Sequence, residues 1–425
     1  MMFNVFCCRL AERNNMKKFL KVAMNKGNKK YAKAISRRND MFCDMEGNYV
    51  TGFELDYYRI MESNAYKRLR NKTQLFFSPV NDHVCTRSEH VLYVSSIAST
   101  IANRLGLNEE LCKAIAIGHD IGHAPFGHEG ESILSKIDRK YCNRPFWHEK
   151  NGVVLADYFE LVVGSKGISQ QLNLTYAVRD GIISHCGEVD DNGLKPRDKF
   201  INLERDYIRP NQYAPYTWEA CVVKLADKIS YIMRDTEDAL RLKVLTRNEI
   251  EWDLLYPLKL EFNGYNRDAI VGGLINDCVA NSNPDDGIRF SEEWSKRLDA
   301  IKAFNTSRIC FSERVKISKP YFSLVLNTLF DLYYGLNDDG VLRIARPARE
   351  YGHVVIDFVK WLKIYCINFQ TDLEEINSYD DGNLYDFQKF IDLQSRESYA
   401  FAIIEYISGM TDRKAISEYE RMITF

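Results

Sequence analysis

The run HDIGHAPFGHEGE, from His119 to Glu131, holds three of the chain's eight histidines, an aspartate beside the first of them, and two glutamates. An adjacent His-Asp pair can offer one divalent cation an imidazole nitrogen and a carboxylate oxygen together. His128 and Glu131 stand three residues apart, so on a helix they would work as a unit. A metal on His119 and Asp120 needs two or three further ligands. His90 is the leading candidate upstream; it follows Arg87 by three residues, which puts a guanidinium and an imidazole on one helix face. Asp227 is the leading candidate downstream, an acid embedded in the apolar register of EACVVKLAD. A buried carboxylate without a partner is expensive, so its place there implies a cation or a hydrogen-bond network. Two imidazoles and two carboxylates suit Mn, Mg or Fe-type divalent ions, with positions left for water and substrate.

The elements that must carry these residues are helical. In RSEHVLYVSSIASTIANRLG, Val91, Val94, Ile97, Ala98, Ile101 and Leu105 recur at helix spacing, and Gly106 supplies a stop. Asn108, followed by Glu109 and Glu110, opens a helix through LCKAIAIGHD that delivers His119 and Asp120. Gly118, Gly122, Pro125 and Gly127 then predict a turn-rich passage rather than one continuous helix. Another helix is predicted from Trp218 to Leu242. Its apolar stripe runs through Val222, Leu225, Ala226 and Ile229, while Asp227, Tyr231 and Asp235 line up at i, i+4 and i+8. PYFSLVLNTLFDLYYG and YGHVVIDFVKWLKIYCINF extend the amphipathic pattern. IEWDLLYPLKLEFNG reads as a short hairpin, and the polar stretch DDNGLKPRDKFINLERDYIRPNQYAPYTW as a loop. The predicted fold class is all-α.

Composition narrows the function classes. The 425 residues are 45% hydrophobic and 27% charged, ordinary for a globular protein with ample core. A net charge of −2 draws the molecule to neither nucleic acid nor membrane. No run approaches the roughly 18 apolar residues of a membrane span, and MMFNVFCCRL lacks the basic start of a signal peptide. Eleven cysteines, an odd number with no C-x-x-C pair, predict reduced, mostly buried thiols in a cytoplasmic protein. Locally, Lys17 to Arg38 carries nine basic residues and no acid. This segment reads as a solvated, partly helical extension, with a patch for nucleic acid or another polyanion as the alternative. Met16 offers a second translational start.

The order His90, His119-Asp120, Asp227 resembles the H…HD…D pattern of the HD superfamily of metal-dependent phosphohydrolases. More narrowly, the chain resembles the deoxynucleoside triphosphate triphosphohydrolases, the dGTPase family. The likeness is carried by FELDYYRIMESNAYKRLRNKTQLF, TRSEH, GHDIGHAPFGHEGE, LADKISYIMRDTEDAL and YISGMTDRKAISEY. These stretches span Phe53 to Tyr419, so it concerns architecture as well as a local pattern. It implies an HD-domain helical core over 51–245, a basic N-terminal extension over 1–50, and an additional helical C-terminal region over 246–425.

The resemblance also implies a reaction: a dNTP, dGTP among them, is split between its 5′ oxygen and the α-phosphorus into a deoxynucleoside and triphosphate. His90, His119, Asp120 and Asp227 would hold the metal. His128 matches the family's catalytic histidine, Glu131 would set its tautomer or raise its pKa, and His123 would stand close to the α-phosphate. Arg87 and Lys228 would bracket the phosphates, and His148 matches a further histidine near them. Tyr231 and Asp235 would close over the sugar, with Gln74 at a sugar-contacting position. Lys72, in the same KTQ, reads as part of a solvated face. A homo-oligomer, tetramer or hexamer, and a nucleotide or single-stranded nucleic-acid effector are further implied partners. Base-reading residues have no motif here, and Ala124 replaces a proline of many relatives. Two rival readings exist. Another HD-type nucleotide phosphohydrolase or phosphodiesterase would share the metal site but give KTQ, PFGH and GMTDR no reason to occur. A nucleotide- or nucleic-acid-binding regulator would leave the intact ligand set without a purpose.

Overall fold

A computed structural model of the chain describes residues 17–39, 51–77, 81, 83–164, 167–186, 192–258, 260 and 267–424. The opening MMFNVFCCRL, the start at Met16, residues 11–15 and 40–50 of the 1–50 extension, and the first two residues of the loop predicted over 190–218 lie outside the described residues. The fold is all-α, as its periodicity predicts, with 59% helix against 6% strand. Helix α1 spans Gly52–Glu62, α2 Arg87–Leu105, α3 Glu109–Gly118, α4 Gly127–Cys142, α5 His148–Val154, α6 Tyr176–Ser184 and α7 Trp218–Arg241. Farther on, α8 is Lys319–Tyr334, α9 His353–Tyr365, α10 Arg396–Ser408 and α11 Asp412–Ile423. No helix among the described residues is long and apolar enough to cross a membrane.

These helices fall into two compact units. The first comprises Met1–Glu62, Pro79–Asp120 and Asn173–Lys316. Within it α2 packs on α3 and α7. A capping box starts α2: the Thr86 hydroxyl accepts from the Glu89 N–H, and Glu89 accepts in turn from the Thr86 N–H at 2.8 Å. The helix ends on Gly106, whose φ of 81° lets its N–H reach the Ala102 carbonyl. The predicted stripe of α2 is 3% exposed or less at every position. Asn108 and Thr217 cap α3 and α7 through their side chains. Helix α6 comes so close to α3 that a Cβ on Gly181 would lie 2.6 Å from the Ile115 side chain.

The basic segment at 17–38 is not a solvated arm. Phe19, Ala23, Met24 and Ala34 are buried, and Phe19 meets Trp218 edge to face with centroids 5.0 Å apart. Arg37 pairs with buried Asp56 at 2.6 Å, and Glu219 accepts from the backbone N–H groups of Met24 and Asn108. Its apolar residues anchor it while most of its lysines face water. The predicted hairpin is also corrected where it is described; residues 259 and 261–264 of that stretch lie outside the described residues. A Thr246–Glu249 capping box starts a helical turn that continues as a π-helix over Ile250–Leu255. Ile250, Leu254 and Leu255 are buried at i, i+4 and i+5, a helical spacing that a short apolar run does not reveal. Residues 192–217 are irregular, as predicted, and are pinned by the Arg197–Asp180 ion pair and by Tyr176 stacked on Phe200. Cys112, Cys221 and Cys278 are fully buried thiols in this unit.

The second unit comprises Ser63–Ser78, Ile121–Leu172 and Ile317–Phe425, with α4 packed on α8 and α10. Leu161–Val163 pairs antiparallel with Ile168–Gln171, which pairs in parallel with Leu384–Tyr385. Glu405 of α10 is buried, and one of its carboxylate oxygens has no hydrogen-bond partner among the described residues. Burial pushes its pKa up to about 8, against the pull of Arg144.

Two predictions follow from packing and burial. Gly181→Ala should destabilise the fold by about 1–3 kcal/mol through overpacking against Ile115. Trimming the neighbour with Ile115→Val should recover part of that loss in denaturant titrations, and simple additivity of the two variants would refute the contact. Glu405 holds in the fold a proton that an unfolded carboxyl, at about 4.3, would release. Its stabilising contribution is therefore complete below that value and lost as pH rises through about 8. Thermal melts across that window should show a decline in Tm that Glu405→Gln flattens; parallel declines would contradict it.

Candidate metal centre

In the first unit, α2, α3 and α7 bring together the residues whose types suit a metal. His90 Nε2 lies 3.0 Å from Asp227 Oδ1. His119 Nε2 lies 3.5 Å from Asp120 Oδ1 and 3.7 Å from Asp227 Oδ1. Ligand atoms sharing one ion at about 2.1 Å stand roughly 3.0–3.5 Å apart, so this spacing is close to that of a common ion. The tautomer of His119 supplies the stronger argument. Its Nδ1 is 2.6 Å from the Ala116 carbonyl, an acceptor, so Nδ1 carries the hydrogen. Nε2 is buried without a hydrogen-bond partner among the described residues and faces two carboxylate oxygens. A lone pair aimed at carboxylates is repulsive unless positive charge sits between them. The donor set therefore fits a cation.

Surrounding groups fix these ligands in place. Ser230 Oγ lies 3.3 Å from His90 Nδ1, on the far side of the ring from Asp227. Arg87 donates from Nη1 to Asp120 Oδ2 at 2.7 Å, and both side chains are buried. Burial alone would raise the pKa of Asp227; the hydrogen bond from His90 and the fields of His119 and His90 hold its carboxyl below the ordinary range. Lys228 is buried on α7, while Tyr231 and Asp235 are half-buried there. Loss of hydration pushes Asp235 up to about 7, partly offset by His90.

One residue of this centre escapes a reading of the sequence. His185, just past α6, is buried, its ring centroid 4.8 Å from that of His119. It groups with His119 and Asp120 within ligand reach, and its Nδ1 lies 2.7 Å from the Ile182 carbonyl, the same tautomer-fixing contact. Only the repeated pairing of a helix-end histidine with the carbonyl three residues back hints at it, and that needs coordinates.

The second unit holds His123, His128, Glu131 and His148. Glu131 Oε2 lies 3.2 Å from His128 Nδ1 and 3.0 Å from His148 Nδ1, so the predicted one-turn pair forms and gains a third member. His123 is buried, with its ring 3.7 Å from that of His148, whereas the His128 side chain is 70% exposed. The turn ahead of α4 is seated on α5: a Cβ on Gly122 would lie 2.1 Å from the His148 carbonyl oxygen and the Gly152 nitrogen. Phe126 takes φ of 64°, and Asp412 accepts from its N–H at 2.9 Å.

That aspartate joins three separate motifs. Asp412, of GMTDR, also accepts from the Thr73 N–H at 2.9 Å, and Lys72 donates to the carbonyls of His123 and Ser408. KTQ, HAPFGH and GMTDR are thus tied by a single carboxylate and a single ammonium. Lys72 is 3% exposed, which corrects its reading as a solvated residue: its ammonium satisfies backbone carbonyls in the interior. Gln74 follows in the same segment, half-buried.

The HD domain family model matches residues 87–232, from Arg87 to a point on α7 beyond Asp227. Over 324 residues the chain is 33% identical to the deoxyguanosinetriphosphate triphosphohydrolase-like protein of Caldanaerobacter subterraneus subsp. tengcongensis, covering 76% of this chain and 83% of that one. It is 35% identical over 305 residues to the like-named protein of Desulfatibacillum aliphaticivorans, covering 69% and 76%. The chain belongs to the HD-domain dGTP triphosphohydrolase-like family. A Rickettsia felis member, 28% identical, aligns over 91% of this chain and 96% of its own length, so the kinship reaches well past the HD domain. Membership makes the protein an HD-type phosphohydrolase, a metal-dependent class.

Removal of metal should lower Tm, because an ion at 100 times its dissociation constant adds about 2.7 kcal/mol to the folded state. With Mn²⁺ as the only added divalent ion, Asp227→Ala should melt at the same temperature with and without a chelator. A chelator effect that survives that substitution would place the stabilising ion elsewhere.

Proposed function

We propose that the protein hydrolyses deoxynucleoside triphosphates, dGTP among them, to a deoxynucleoside and intact triphosphate. The observation that carries this reading is the convergence of His90, His119, Asp120 and Asp227 in a chain 33–35% identical to proteins named for that activity. A divalent ion of the Mn, Mg or Fe type held by these four would supply a Lewis acid for a phosphoryl oxygen and an activated water. Everything else falls to side chains. Water adds to the α-phosphorus, the bond to the 5′ oxygen breaks, and that oxygen needs a proton.

His128 is the group assigned to supply it. Its imidazole is exposed, and the Glu131 carboxylate lies 3.2 Å from its Nδ1, which holds the ring in place. His123 and His148, packed beside it, are assigned to the phosphates. Lys228 adds a point charge on the same helix as Asp227. Arg87 would bracket the phosphates together with Lys228, and it also orients the Asp120 carboxylate. Asp235 would bond the 3′ hydroxyl, Tyr231 would pack beneath C2′ and exclude a ribose, and Gln74 would reach the sugar. The reading extends to a cytoplasmic homo-oligomer, tetramer or hexamer. Its exposed lysines at 17, 21, 26, 29 and 33 would face a nucleotide or single-stranded nucleic-acid effector.

Incubation with each dNTP, singly and mixed, followed by product chromatography tests the assignment. Triphosphate and deoxynucleoside are expected; release of pyrophosphate or single phosphates would replace this reading with another HD-type hydrolase. His128→Ala should keep the Mn²⁺ bound at the His119 centre and lose about 10²–10⁴-fold in turnover. Collapse of the metal content in that variant would overturn the separation of roles.

A further inference from the structure

The histidine cluster of the second unit has a coordination chemistry of its own. His123, His128, Glu131 and His148 each present one ligand atom, and these atoms all lie within 4.8 Å of one another. Four such ligands around zinc at about 2.0–2.2 Å define a tetrahedron with edges of roughly 3.3–3.6 Å. Two edges already approach that length, from Glu131 Oε2 to His128 Nδ1 at 3.2 Å and to His148 Nδ1 at 3.0 Å. The others need closure of roughly 1 Å, within the reach of small χ adjustments.

Two further observations favour an ion there. The backbone beneath is rigid: Asn151 donates to the Gly122 carbonyl at 2.8 Å, and the His148 N–H donates to Glu131 Oε1 at 3.2 Å. One face is open, because the His128 side chain is 70% exposed while His123 is buried. The donor set also differs from that of the first unit. Three imidazoles and one carboxylate make a softer site than two and two, and softness selects zinc over Mg and Mn.

We propose that these four residues form a second metal site, specific for zinc, and that zinc bound there inhibits the hydrolase. The inhibitory half rests on the proposed role of His128 as proton donor. An imidazole with its Nδ1 lone pair on zinc and a hydrogen on Nε2 cannot take up a second proton. Binding displaces to solvent the protons that Glu131 shares with the two histidines, and no electrons move.

Metal counting on the full-length protein tests the site without reference to turnover. After equilibration with excess Zn²⁺ and gel filtration, elemental analysis should find two zinc ions per chain. His90→Ala/Asp227→Ala should retain one, and His123→Asn/His148→Asn should retain one, the asparagines keeping polar contacts while binding zinc poorly. X-ray absorption on the His90→Ala/Asp227→Ala protein should show four N/O neighbours near the distance typical of zinc. A single zinc in the wild type, or two in the His123→Asn/His148→Asn variant, would overturn the site. Circular dichroism melts establish that each variant is folded, and wild-type absorption spectroscopy carries the test if one is not. With Mn²⁺ present, added Zn²⁺ should slow triphosphate release at least tenfold, reversibly on chelation of zinc. Full zinc occupancy with undiminished turnover would overturn inhibition alone. Absence of any nucleotide hydrolysis would sink the reading of His128 and leave the zinc count standing.

Discussion

Asp120 and Asp227 are carboxylates withdrawn from water inside a helical unit, and much of that unit is the means of tolerating them. Burying an ionised carboxylate costs several kcal/mol even after relaxation, whereas a hydrogen bond to a charged group contributes about 1.5–3. Each acid therefore needs more than one opposing group. Asp120 has Arg87, and Asp227 has His90, whose ring is steadied by Ser230. His119 faces both with a nitrogen that the Ala116 carbonyl has forced into the acceptor tautomer. The account balances only with positive charge at their meeting point. The apolar stripes of α2, α3 and α7 hold those groups within fractions of an ångström, which is why so much of the core is spent around so few polar atoms.

The second unit solves a different problem. Its cluster lies on a turn, the helix that follows and the first residue of α5, so precision depends on contacts between these segments. Lys72 fixes one backbone carbonyl of the turn and Asp412 one backbone N–H, and α5 lies against Gly122 with no room for a side chain. Lys72 and Asp412 lie far from the histidines in sequence and carry no chemistry themselves. They resemble the shells that orient ligands in metal sites, built here from main-chain contacts.

How much of this is legible without coordinates depends on whether the signal is local. The ends of α2 and α3 are written in Thr86, Glu89, Gly106 and Asn108, and the stripe of α2 is a plain 3.6 period. His119, Asp120, His90 and Asp227 converge as their spacing and resemblance suggested. His185 did not declare itself, because a single histidine at the end of an apolar helix has the same local pattern as a core histidine. Lys72 was obscured by its basic neighbours Lys67, Arg68 and Arg70, which look like one solvated face although Lys72 turns inward. Charge density likewise hid Phe19 and Met24 within the basic segment. In 250–255, a run of apolar residues too short to show a period reads as one arm of a hairpin, whereas the turn capped by Thr246 carries it on as a helix. The interleaving of chain segments in the two compact units has no local signature.

Asp412 has a further meaning in time. It follows Phe126 by 286 residues, an interval of about 15–60 s at translation rates of 5–20 residues per second. For that period the emerging chain holds all the residues of the histidine cluster, yet Phe126 lacks the acceptor that settles its left-handed backbone. The candidate metal ligands through Asp227 are complete far sooner in the order of synthesis. A growing chain would thus hold the donor set of its candidate cation site well before the backbone under its histidine cluster is secured.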